Sequence, residues 1–318
     1  MTKVARLYHE HGVRQHDIAD QLHISQARVS RLLKQAVETG IVRTTVVVPS
    51  GVQTELEEAI EQGYGIREAV VVETLDDTDE GLVRDLGRAT AAYLETTLTG
   101  GDVVGLSSWS ATLLAAVDSL RPLPRVGASR AVQLFGGVGN PSAEAHAAHL
   151  TRRFADVTGA EPLFLLAPGI AASQQARDAL LEDRFVIEAL AALSDVTLAL
   201  VGIGTLQPSP LLQRSGNIFS DDELAALGAR GAVGDICLRF FDAQGQRVES
   251  QHDERIIGAT LEQLRGVDRC VGIAGGERKY AAIRAALVGH NINVIITDRR
   301  TAERLVADRP AEAQTGKG

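Results

Sequence analysis

Apolar positions in the first forty residues recur at helical spacing and predict three short helices. The first helix carries Val4, Leu7 and Tyr8 on one face, and His11-Gly12 ends it. The second and third helices fall within residues 15–34 and are joined by a tight turn. The pattern therefore predicts a small helical unit at the N-terminus.

The turn between the second and third helices has a characteristic set of residues. The buried face of the second helix has three apolar positions: Ile18, Ala19 and Leu22. Ala19 is small where the next helix would cross closely, Ile24 fills the space between the helices, and Ser25 is a natural N-cap. The third helix buries Val29, Leu32 and Leu33. Its opposite face carries short polar side chains and cations: Ser25, Gln26, Ala27, Arg28, Ser30, Arg31 and Lys34.

This arrangement is typical of a helix-turn-helix that reads double-stranded DNA. Short polar side chains on the second helix of such a motif reach base edges, and cations reach phosphates. The alternative is an ordinary helical hairpin with a solvated basic face. The DNA-reading interpretation is favoured because the small residue, the apolar turn and the polar helix fall in register.

The end of the N-terminal unit is marked by a strand and a turn. Residues 41–48 are mostly β-branched and predict a strand, the remnant of a wing, and residues 49–51 (PSG) form the clearest boundary in the chain. We therefore expect a winged-type helix-turn-helix DNA-binding domain over residues 1–50. An effector-sensing and oligomerisation domain is expected over residues 52–318.

Short apolar strands alternate with helices beyond this boundary. The predicted strands cover residues 68–73, 103–106, 131–135, 163–166, 197–201, 270–274 and 294–297, and a hairpin is expected over residues 235–248. This alternation predicts an α/β fold with a doubly wound, mostly parallel sheet covered on both faces. Ligands of such sheets bind beyond the carboxyl ends of the strands, where the glycine- and serine-rich loops of this chain lie.

Charge is distributed unevenly along the 318 residues. The net charge is −9, yet residues 1–50 carry +3 and the remainder −12, so a small basic head precedes a large acidic body. The sequence has no apolar run that would span a membrane, and its first residues lack the apolar core of a signal peptide. Cys237 and Cys270 each lie in an apolar run that predicts a buried strand. We expect reduced thiols, a cytoplasmic location, and neither a metal site nor a cofactor.

The first candidate ligand loop follows the strand over residues 103–106. Backbone amides at the start of the next helix, near Ser110, would bind an anion, and hydroxyls of Ser108, Ser110 and Thr112 would add donors. The loop lacks the Gly-Lys-Ser/Thr ending of a nucleotide-binding P-loop. The alternative is a capped helix without a ligand.

Three further residues are candidates for ligand contact. Lys279 follows two glycines and would supply a cation for a phosphate, or lie at the surface. Asp235 would accept hydrogen bonds from sugar hydroxyls, or cap a turn. Gln133 lies in an apolar strand, where either a ligand hydroxyl or neighbouring backbone satisfies its amide.

These motifs together resemble the SorC-type sugar-binding transcriptional regulators of bacteria. After the helix-turn-helix, the resemblance rests on residues 108–113 (SWSATL), 133–137 (QLFGG), 202–204 (GIG), 231–236 (GAVGDI), 275–279 (GGERK) and 297–298 (TD). It implies a phosphosugar-sensing body related in fold to ribose-5-phosphate isomerase and glucosamine-6-phosphate deaminase. It also implies a homotetramer bound to operator DNA.

The resemblance also implies which residues bind the effector. The family's phosphate loop maps onto Ser108, Ser110 and Thr112, its sugar contacts onto Gln133 and Asp235, and its phosphate-binding lysine onto Lys279; with the two glycines of the QLFGG motif, the expected effector site is Ser108, Ser110, Thr112, Gln133, Gly136, Gly137, Asp235 and Lys279. The chain departs from the family at Ser110, usually glycine, and at Phe135, usually smaller or polar. Both departures narrow the expected pocket.

Two classes of function are compatible with these features. The leading interpretation is a DNA-binding regulator whose operator affinity changes when a small phosphorylated sugar binds. The alternative is an enzyme of the sugar-phosphate isomerase or deaminase type, which would need a positioned acid/base pair. The loops show no pairing of histidine with a carboxylate, and His146 and His149 fit the polar face of a helix. We therefore expect no catalytic residues.

Overall fold

The computed structural model describes residues 1–39, 41–42, 53–74, 76, 78–123 and 128–310, with backbone only at residues 38 and 141–146. Its contacts divide the chain into two compact units, Met1–Ser50 and Gly51–Gly318. Apart from residues 41 and 42, the strand predicted over residues 41–48 lies outside the described residues, as does the boundary at residues 49–51. The part of the chain that is described contains no helix long and apolar enough to cross a membrane.

The N-terminal unit contains the three predicted helices, α1 (Thr2–His9), α2 (Gln15–Leu22) and α3 (Gln26–Glu38). Its core is formed by Val4, Ile18, Ala19, Val29 and Leu33. His23 ends α2 in the left-handed conformation with φ 52°, and the Ser25 hydroxyl accepts the Arg28 N–H at 3.3 Å. The helix-turn-helix prediction is confirmed at the level of local structure.

The body consists of a sheet, a hairpin and surrounding helices. Its first half contains α4 (Thr54–Tyr64), β1 (Glu68–Val72), α5 (Asp79–Thr97), β2 (Val103–Leu106), α6 (Ala111–Ser119), β3 (Arg130–Gln133), α7 (Pro141–Thr158), β4 (Glu161–Leu163), α8 (Gln174–Leu180) and α9 (Arg184–Ala191). Its second half contains β5 (Leu198–Gly202), α10 (Pro210–Ser215), α11 (Asp221–Ala229), β6 (Ala232–Ile236), β7 (Arg239–Asp242), α12 (Leu261–Arg265), β8 (Arg269–Ile273), α13 (Tyr280–Val288), β9 (Val294–Asp298) and α14 (Arg299–Ala307). Short 3₁₀ turns cover Ala192–Asp195, Gln251–Arg255 and Glu277–Lys279.

Seven parallel strands form the sheet in the order β1-β9-β8-β5-β2-β3-β4. The chain passes from β2 outward to β3 and β4, and it then returns to place β5 on the other side of β2. The direction of winding therefore reverses between β2 and β5. Ligands of open parallel sheets bind at the carboxyl ends of the strands beside such a reversal.

Alternate residues of the strands enter two separate cores, which explains why the strands are apolar throughout. Leu198 and Leu200 of β5 pack in the core under α5 and α6, whereas Ala199 and Val201 pack in the core on the opposite face. Both faces of the sheet are covered, as predicted for a doubly wound fold.

Both edges of the sheet are protected against pairing with another strand. At the β1 edge, the N–H groups of Ala69 and Val71 donate to the carboxylates of Glu61 and Glu57 on α4, at 3.0 and 2.9 Å. The other edge strand, β4, has three residues and contains Pro162. Short strands, proline and charged side chains are common devices at sheet edges.

Two predicted elements were placed wrongly. The strand expected over residues 163–166 lies instead at Glu161–Leu163, because the Leu165 N–H donates to the Gln133 side chain rather than continuing the sheet. The run from residue 235 to 242 is two antiparallel strands, and the turn falls at Cys237 and Leu238, with φ 52° and 65°. Cys237 is therefore buried in a turn, not in a strand.

The amino edge of the sheet is closed by a network of hydrogen bonds around Asp102. This carboxylate accepts from the Thr99 N–H and hydroxyl, from the Thr197 hydroxyl and from the Arg269 guanidinium, each at 2.8 Å. The network joins the starts of β2, β5 and β8. Burial alone would raise the pKa of Asp102, but the hydrogen bonds outweigh it and lower the pKa.

Replacing this carboxylate tests the network. Asp102→Asn leaves the largely buried Arg269 without its anion, so we expect a loss of about 3 kcal/mol in the free energy of unfolding near neutral pH. Because folding lowers the pKa of Asp102, its contribution is present above the unfolded value of about 4 and is lost as pH falls through the folded value.

Urea unfolding followed by fluorescence measures this loss, because the single tryptophan, Trp109, lies in the body. The wild type and Asp102→Asn should converge in acid. The half-exposed Asp118→Asn should stay within about 0.5 kcal/mol of wild type. Equal stability of Asp102→Asn and wild type near pH 7 would contradict the role of the network.

Candidate functional site

The predicted DNA-reading residues share one exposed face of the N-terminal unit. Each of the seven has an exposed side chain: Ser25, Gln26, Ala27, Arg28, Ser30, Arg31 and Lys34. Val29 and Leu33 lie on the opposite side of α3 and are buried. The Ser25 hydroxyl is used as the N-cap, and the Arg31 side chain lies over its own helix, with Nε 3.4 Å from the Ala27 carbonyl oxygen. The face is therefore accessible and basic.

A second candidate site lies where the sheet reverses, between the loops after β2 and β5. Ser110 caps α6, and its hydroxyl accepts the Leu113 N–H at 3.2 Å. A side chain at Gly202 would lie 3.2 Å from that hydroxyl, so the glycine lets the two loops approach. Among the hydrogen bonds of the described residues, the first-turn amides of Ala111 and Thr112 have no protein acceptor. These two amides are available to an anion.

The Ser108 hydroxyl has a partner within the protein. Ser108 is buried, and its hydroxyl donates to the carbonyl oxygen of Phe135 at 2.8 Å. Trp109 Nε1 donates to the Gly136 carbonyl oxygen at 3.1 Å. The loop after β2 is thus tied to the loop after β3, and donation from Ser108 to a ligand would require this bond to break.

The contacts of Gln133 favour the structural alternative. Its side-chain oxygen accepts the Leu165 N–H at 2.9 Å, and its side-chain nitrogen lies 3.4 Å from the Ala147 carbonyl oxygen. Gly136 and Gly137 donate their N–H groups to the carbonyl oxygens of Ile257 and Leu165. A role for these three residues in effector contact stays a prediction, and their observed bonds are internal.

Asp235 lies at the candidate site through the hairpin β6–β7. Its backbone pairs with Gly204, and a side chain on Gly204 would overlap the Asp235 carboxylate. One carboxylate oxygen accepts the Leu238 N–H at 3.0 Å, which stabilises the turn at Cys237 and Leu238. Burial raises the pKa of Asp235 to about 6, although the Leu238 N–H and the charge of Lys279 lower it.

Lys279 ends the 3₁₀ turn that follows β8. Its side chain is half-buried, and burial lowers its pKa while the charge of Asp235 raises it. Within the described part of the chain, the ammonium forms neither a hydrogen bond nor an ion pair. The fold therefore brings Lys279 and Asp235 within electrostatic range of each other, at the same edge of the sheet as Ser110.

Asp298 is a site residue that the sequence reasoning did not identify. Its carboxylate accepts the Gly276 N–H at 2.7 Å and the Thr301 hydroxyl and N–H at 2.6 and 3.0 Å. Gly276 has φ 87°, which favours glycine, and a side chain on Gly275 would overlap Asp298. Asp298 thus fixes the loop that carries Lys279. A strand followed by Asp-x-x-Thr at a helix start is the sequence signal that was available.

The described residues bring together no group of three histidine, cysteine, aspartate or glutamate side chains that would hold a metal ion. The polar groups at the carboxyl edge are of two kinds: the α6 amides and Lys279, which suit a phosphate, and the buried carboxylate of Asp235, which suits hydroxyl groups. The arrangement is suited to binding a polar anion that also carries hydroxyls.

Known proteins are similar to this chain along nearly its whole length. Residues 49–307 match the family described as "Putative sugar-binding domain". The chain is 36% identical over 306 residues to the deoxyribonucleoside regulator of Bacillus subtilis (strain 168), covering 96% of both chains. It is 31% identical over 313 residues to the sorbitol operon regulator of Klebsiella pneumoniae, covering 96% of this chain and 97% of the relative.

Solved structures of similar regulators have the same fold as this chain. The full-length sorbitol operon regulator SorC from Klebsiella pneumoniae superposes with a TM-score of 0.72 at 29% identity, covering 96% of this chain and 97% of that one. A domain of a possible sugar-binding transcriptional regulator from Arthrobacter aurescens TC1 gives 0.71 at 26% identity, with coverage of 82% and 100%. The overall fold is therefore shared with these regulators.

The raised pKa of Asp235 predicts a stability cost that depends on pH. Folding favours the neutral carboxyl group. The contribution of Asp235 to the free energy of unfolding is therefore fully present below its unfolded pKa of about 4, and it is lost as pH rises through the folded pKa of about 6. Asp235→Asn carries no charge at any pH, and its amide oxygen still accepts the Leu238 N–H. We expect this variant to be about 1–3 kcal/mol more stable than wild type near pH 8 and equal to it near pH 4.

Urea unfolding across this pH range provides the measurement, with Asp118→Asn again as the exposed control. The raised pKa already includes the attraction of Lys279. A wild type that is as stable as Asp235→Asn near pH 8 would show that this attraction is stronger than proposed here.

Proposed function

This chain belongs to the SorC-type family of sugar-binding transcriptional regulators, and we propose that a small phosphorylated sugar modulates its binding to operator DNA. The family relatives are regulators named for sorbitol, deoxyribonucleosides and erythritol. The observation that carries the proposal is the half-buried Lys279, whose ammonium has no ion-pair partner in the described residues and lies at the edge where helix amides are free.

The phosphate of the effector is proposed to lie between the start of α6 and Lys279. The amides of Ala111 and Thr112 offer fixed donors, and the helix dipole favours negative charge at this end. Lys279 adds a full positive charge. Two amides and one ammonium match an anion with several acceptor oxygens better than they match a neutral sugar.

The sugar end of the effector is assigned to Asp235. A carboxylate would repel a phosphate, so it belongs where hydroxyl groups donate. One of its oxygens accepts the Leu238 N–H, and the other packs against Gly204 and is the one assigned to a sugar hydroxyl. Gln133, Gly136 and Gly137 are proposed to form the wall of the site, because their own hydrogen bonds are internal.

An acidic body can still select an anion in this way. The positive groups of the proposed site are assigned to one edge of the sheet, whereas the net charge of −12 over residues 51–318 is spread over the whole body.

The face of α3 is proposed to read the operator. Gln26 and Arg28 lie in its first turn and are assigned to base edges, and Arg31 and Lys34 are assigned to phosphates. One such helix contacts few base pairs, so useful specificity requires two half-sites and hence a symmetric oligomer, proposed to be a tetramer. A cytoplasmic location belongs to the same proposal.

An isomerase or deaminase remains the alternative, since the fold does not decide function. The structure favours it at one point only, because burial raises the pKa of Asp235 to about 6, in the range of a general base. All three named relatives above are regulators, so we propose a sensor without catalysis.

Replacing Lys279 tests the phosphate assignment. Lys279→Ala should weaken binding of a sugar phosphate by about 1.5–3 kcal/mol, roughly 10- to 150-fold, because it removes a charged hydrogen-bond donor. Binding of the unphosphorylated sugar should change much less. Calorimetry with ribose 5-phosphate, glucose 6-phosphate and fructose 6-phosphate, each against its parent sugar, measures the difference.

The neighbouring Arg278→Ala is the matched control, since Arg278 is exposed on the same turn. Equal losses for both forms of the sugar, or no loss for either, would refute the assignment. Nuclear magnetic resonance spectra of the same mixtures over several hours distinguish a sensor from an enzyme, because turnover would create new sugar signals.

Two sets of substitutions test the operator contacts. With a site selected from random duplexes, Arg28→Ala should cost about 1–3 kcal/mol and relax sequence preference. Lys34→Ala should weaken binding to all sequences alike and reduce the salt dependence by about one unit. Fluorescence anisotropy at several salt concentrations measures both. Arg6→Ala, on α1 and paired with Glu10, is the control, and unchanged binding by a Gln26/Arg28 double alanine variant would reject the proposed face.

A further inference from the structure

The turn that carries Lys279 is held by the last helix, α14. Two residues of this turn region, Glu277 and Tyr280, lie on either side of Lys279, and both contact Arg304 of α14. The Arg304 guanidinium forms an ion pair with Glu277 and lies 3.8 Å from the centre of the Tyr280 ring. A displacement of the turn that carries Lys279 therefore changes the contacts of Arg304 with Glu277 and Tyr280.

The start of the same turn is also fixed on α14. The Gly276 N–H donates to the carboxylate of Asp298, the N-cap of α14, and lies 3.1 Å from the hydroxyl of Thr301 in its first turn. The segment from Gly276 to Tyr280 thus contacts α14 at both of its ends. It moves relative to α14 only if these contacts change.

The other side of α14 contacts α4. The hydroxyl of Tyr64, at the end of α4, donates to the carbonyl oxygen of Leu305 at 3.0 Å, and Tyr64 is buried. The Arg309 side chain lies against Gly63 of α4. Within the body, α4 is the first helix after the DNA-binding unit in the chain. A continuous set of contacts therefore runs from the Lys279 turn through α14 to α4.

We propose that α14 couples the effector site to α4, so that phosphate binding at Lys279 changes α4 through Arg304 and the Tyr64–Leu305 hydrogen bond. This inference rests on the proposed function. Without a ligand the ammonium has no ion-pair partner in the described residues, and with a phosphate it gains charge-assisted bonds, so the two states favour different positions of the turn. The segment is a 3₁₀ turn, whose hydrogen-bond geometry is poorer than that of an α-helix.

Two variants interrupt this path at different points. Arg304→Gln removes the ion pairs with Glu277 and Asp308 and the contact with the Tyr280 ring, next to the effector site. The Tyr280 hydroxyl keeps its bonds to the Arg304 carbonyl oxygen and to Asp308. Tyr64→Phe removes only the hydroxyl that donates to Leu305, at the far end of the path. Arg299→Gln is the matched control, because Arg299 is on the same helix but pairs with Glu73 and Glu303 instead of the turn.

Hydrogen exchange on the full chain measures the response of α4. The probe is whichever of ribose 5-phosphate, glucose 6-phosphate and fructose 6-phosphate gives the strongest calorimetric signal, at saturation. We expect it to slow exchange at Gly276–Tyr280 and to change exchange at Thr54–Tyr64 in the wild type and in Arg299→Gln. In Arg304→Gln and Tyr64→Phe, the change at α4 should disappear.

Operator binding provides a second readout that a purely structural role would not alter. The probe should change the operator affinity of the wild type about fivefold or more, the lower end of typical allosteric coupling. The ratio of affinities with and without probe should fall below about twofold in Tyr64→Phe. Because Tyr64 does not contact the effector site, the affinity of this variant for the probe itself should stay within about twofold of wild type.

The outcomes separate this inference from the proposed function. Protection of the Lys279 turn without any change at α4 in the wild type refutes the coupling and leaves the effector site intact. An α4 response that survives in both path variants also refutes it. If none of the three sugar phosphates protects the turn, the proposed function is wrong, and the coupling fails with it.

Discussion

Asp235 and Lys279 carry opposite charges at the carboxyl edge of the sheet without an ion pair between them, and the candidate site depends on this separation. Each group loses solvation on burial, and neither recovers it through a direct contact with the other. The free-energy cost of this lost solvation is offset by other contacts of the fold, which hold Asp235 through Gly204 and the Lys279 turn through Asp298. In the proposed site, a phosphate and sugar hydroxyls supply the partners that these two groups lack in the fold itself.

The opposite edge of the same sheet shows what a fully satisfied arrangement looks like. There Asp102 and Arg269 are in contact, and the threonines beside them supply the remaining donors. Both edges hold a carboxylate and a cation, but folding lowers the pKa of Asp102 and raises that of Asp235. The difference follows from the donors within the described residues, since Asp102 accepts four hydrogen bonds whereas Asp235 accepts one, from the Leu238 N–H.

Local signals in the sequence predicted most of the fold and about half of the candidate site. Periodicity located the helix-turn-helix and six of the sheet strands. The Ser110 cap and the glycines before Lys279 are recognisable from the residues next to them in the sequence. The turn at Cys237 was missed because the Asp235 side chain stabilises it in place of the usual glycine or asparagine. Sequence reasoning left two kinds of partner open for Gln133 and assigned no role to Asp298, because their observed partners, Leu165 and Gly276, are more than twenty residues away.

The same sheet architecture serves enzymes and sensors, and the position of the supporting contacts distinguishes the two uses. A catalytic lysine needs neighbours that hold it rigidly against its substrate, because small displacements are costly to the reaction. In this chain the turn of Lys279 is held from outside the site, by a helix whose other contacts lead to Tyr64 on α4. A support of this kind fits the proposed coupling, in which the turn responds to an anion and α14 passes that response to α4. It suits the proposed sensor because it connects the binding group to a helix that the ligand does not touch.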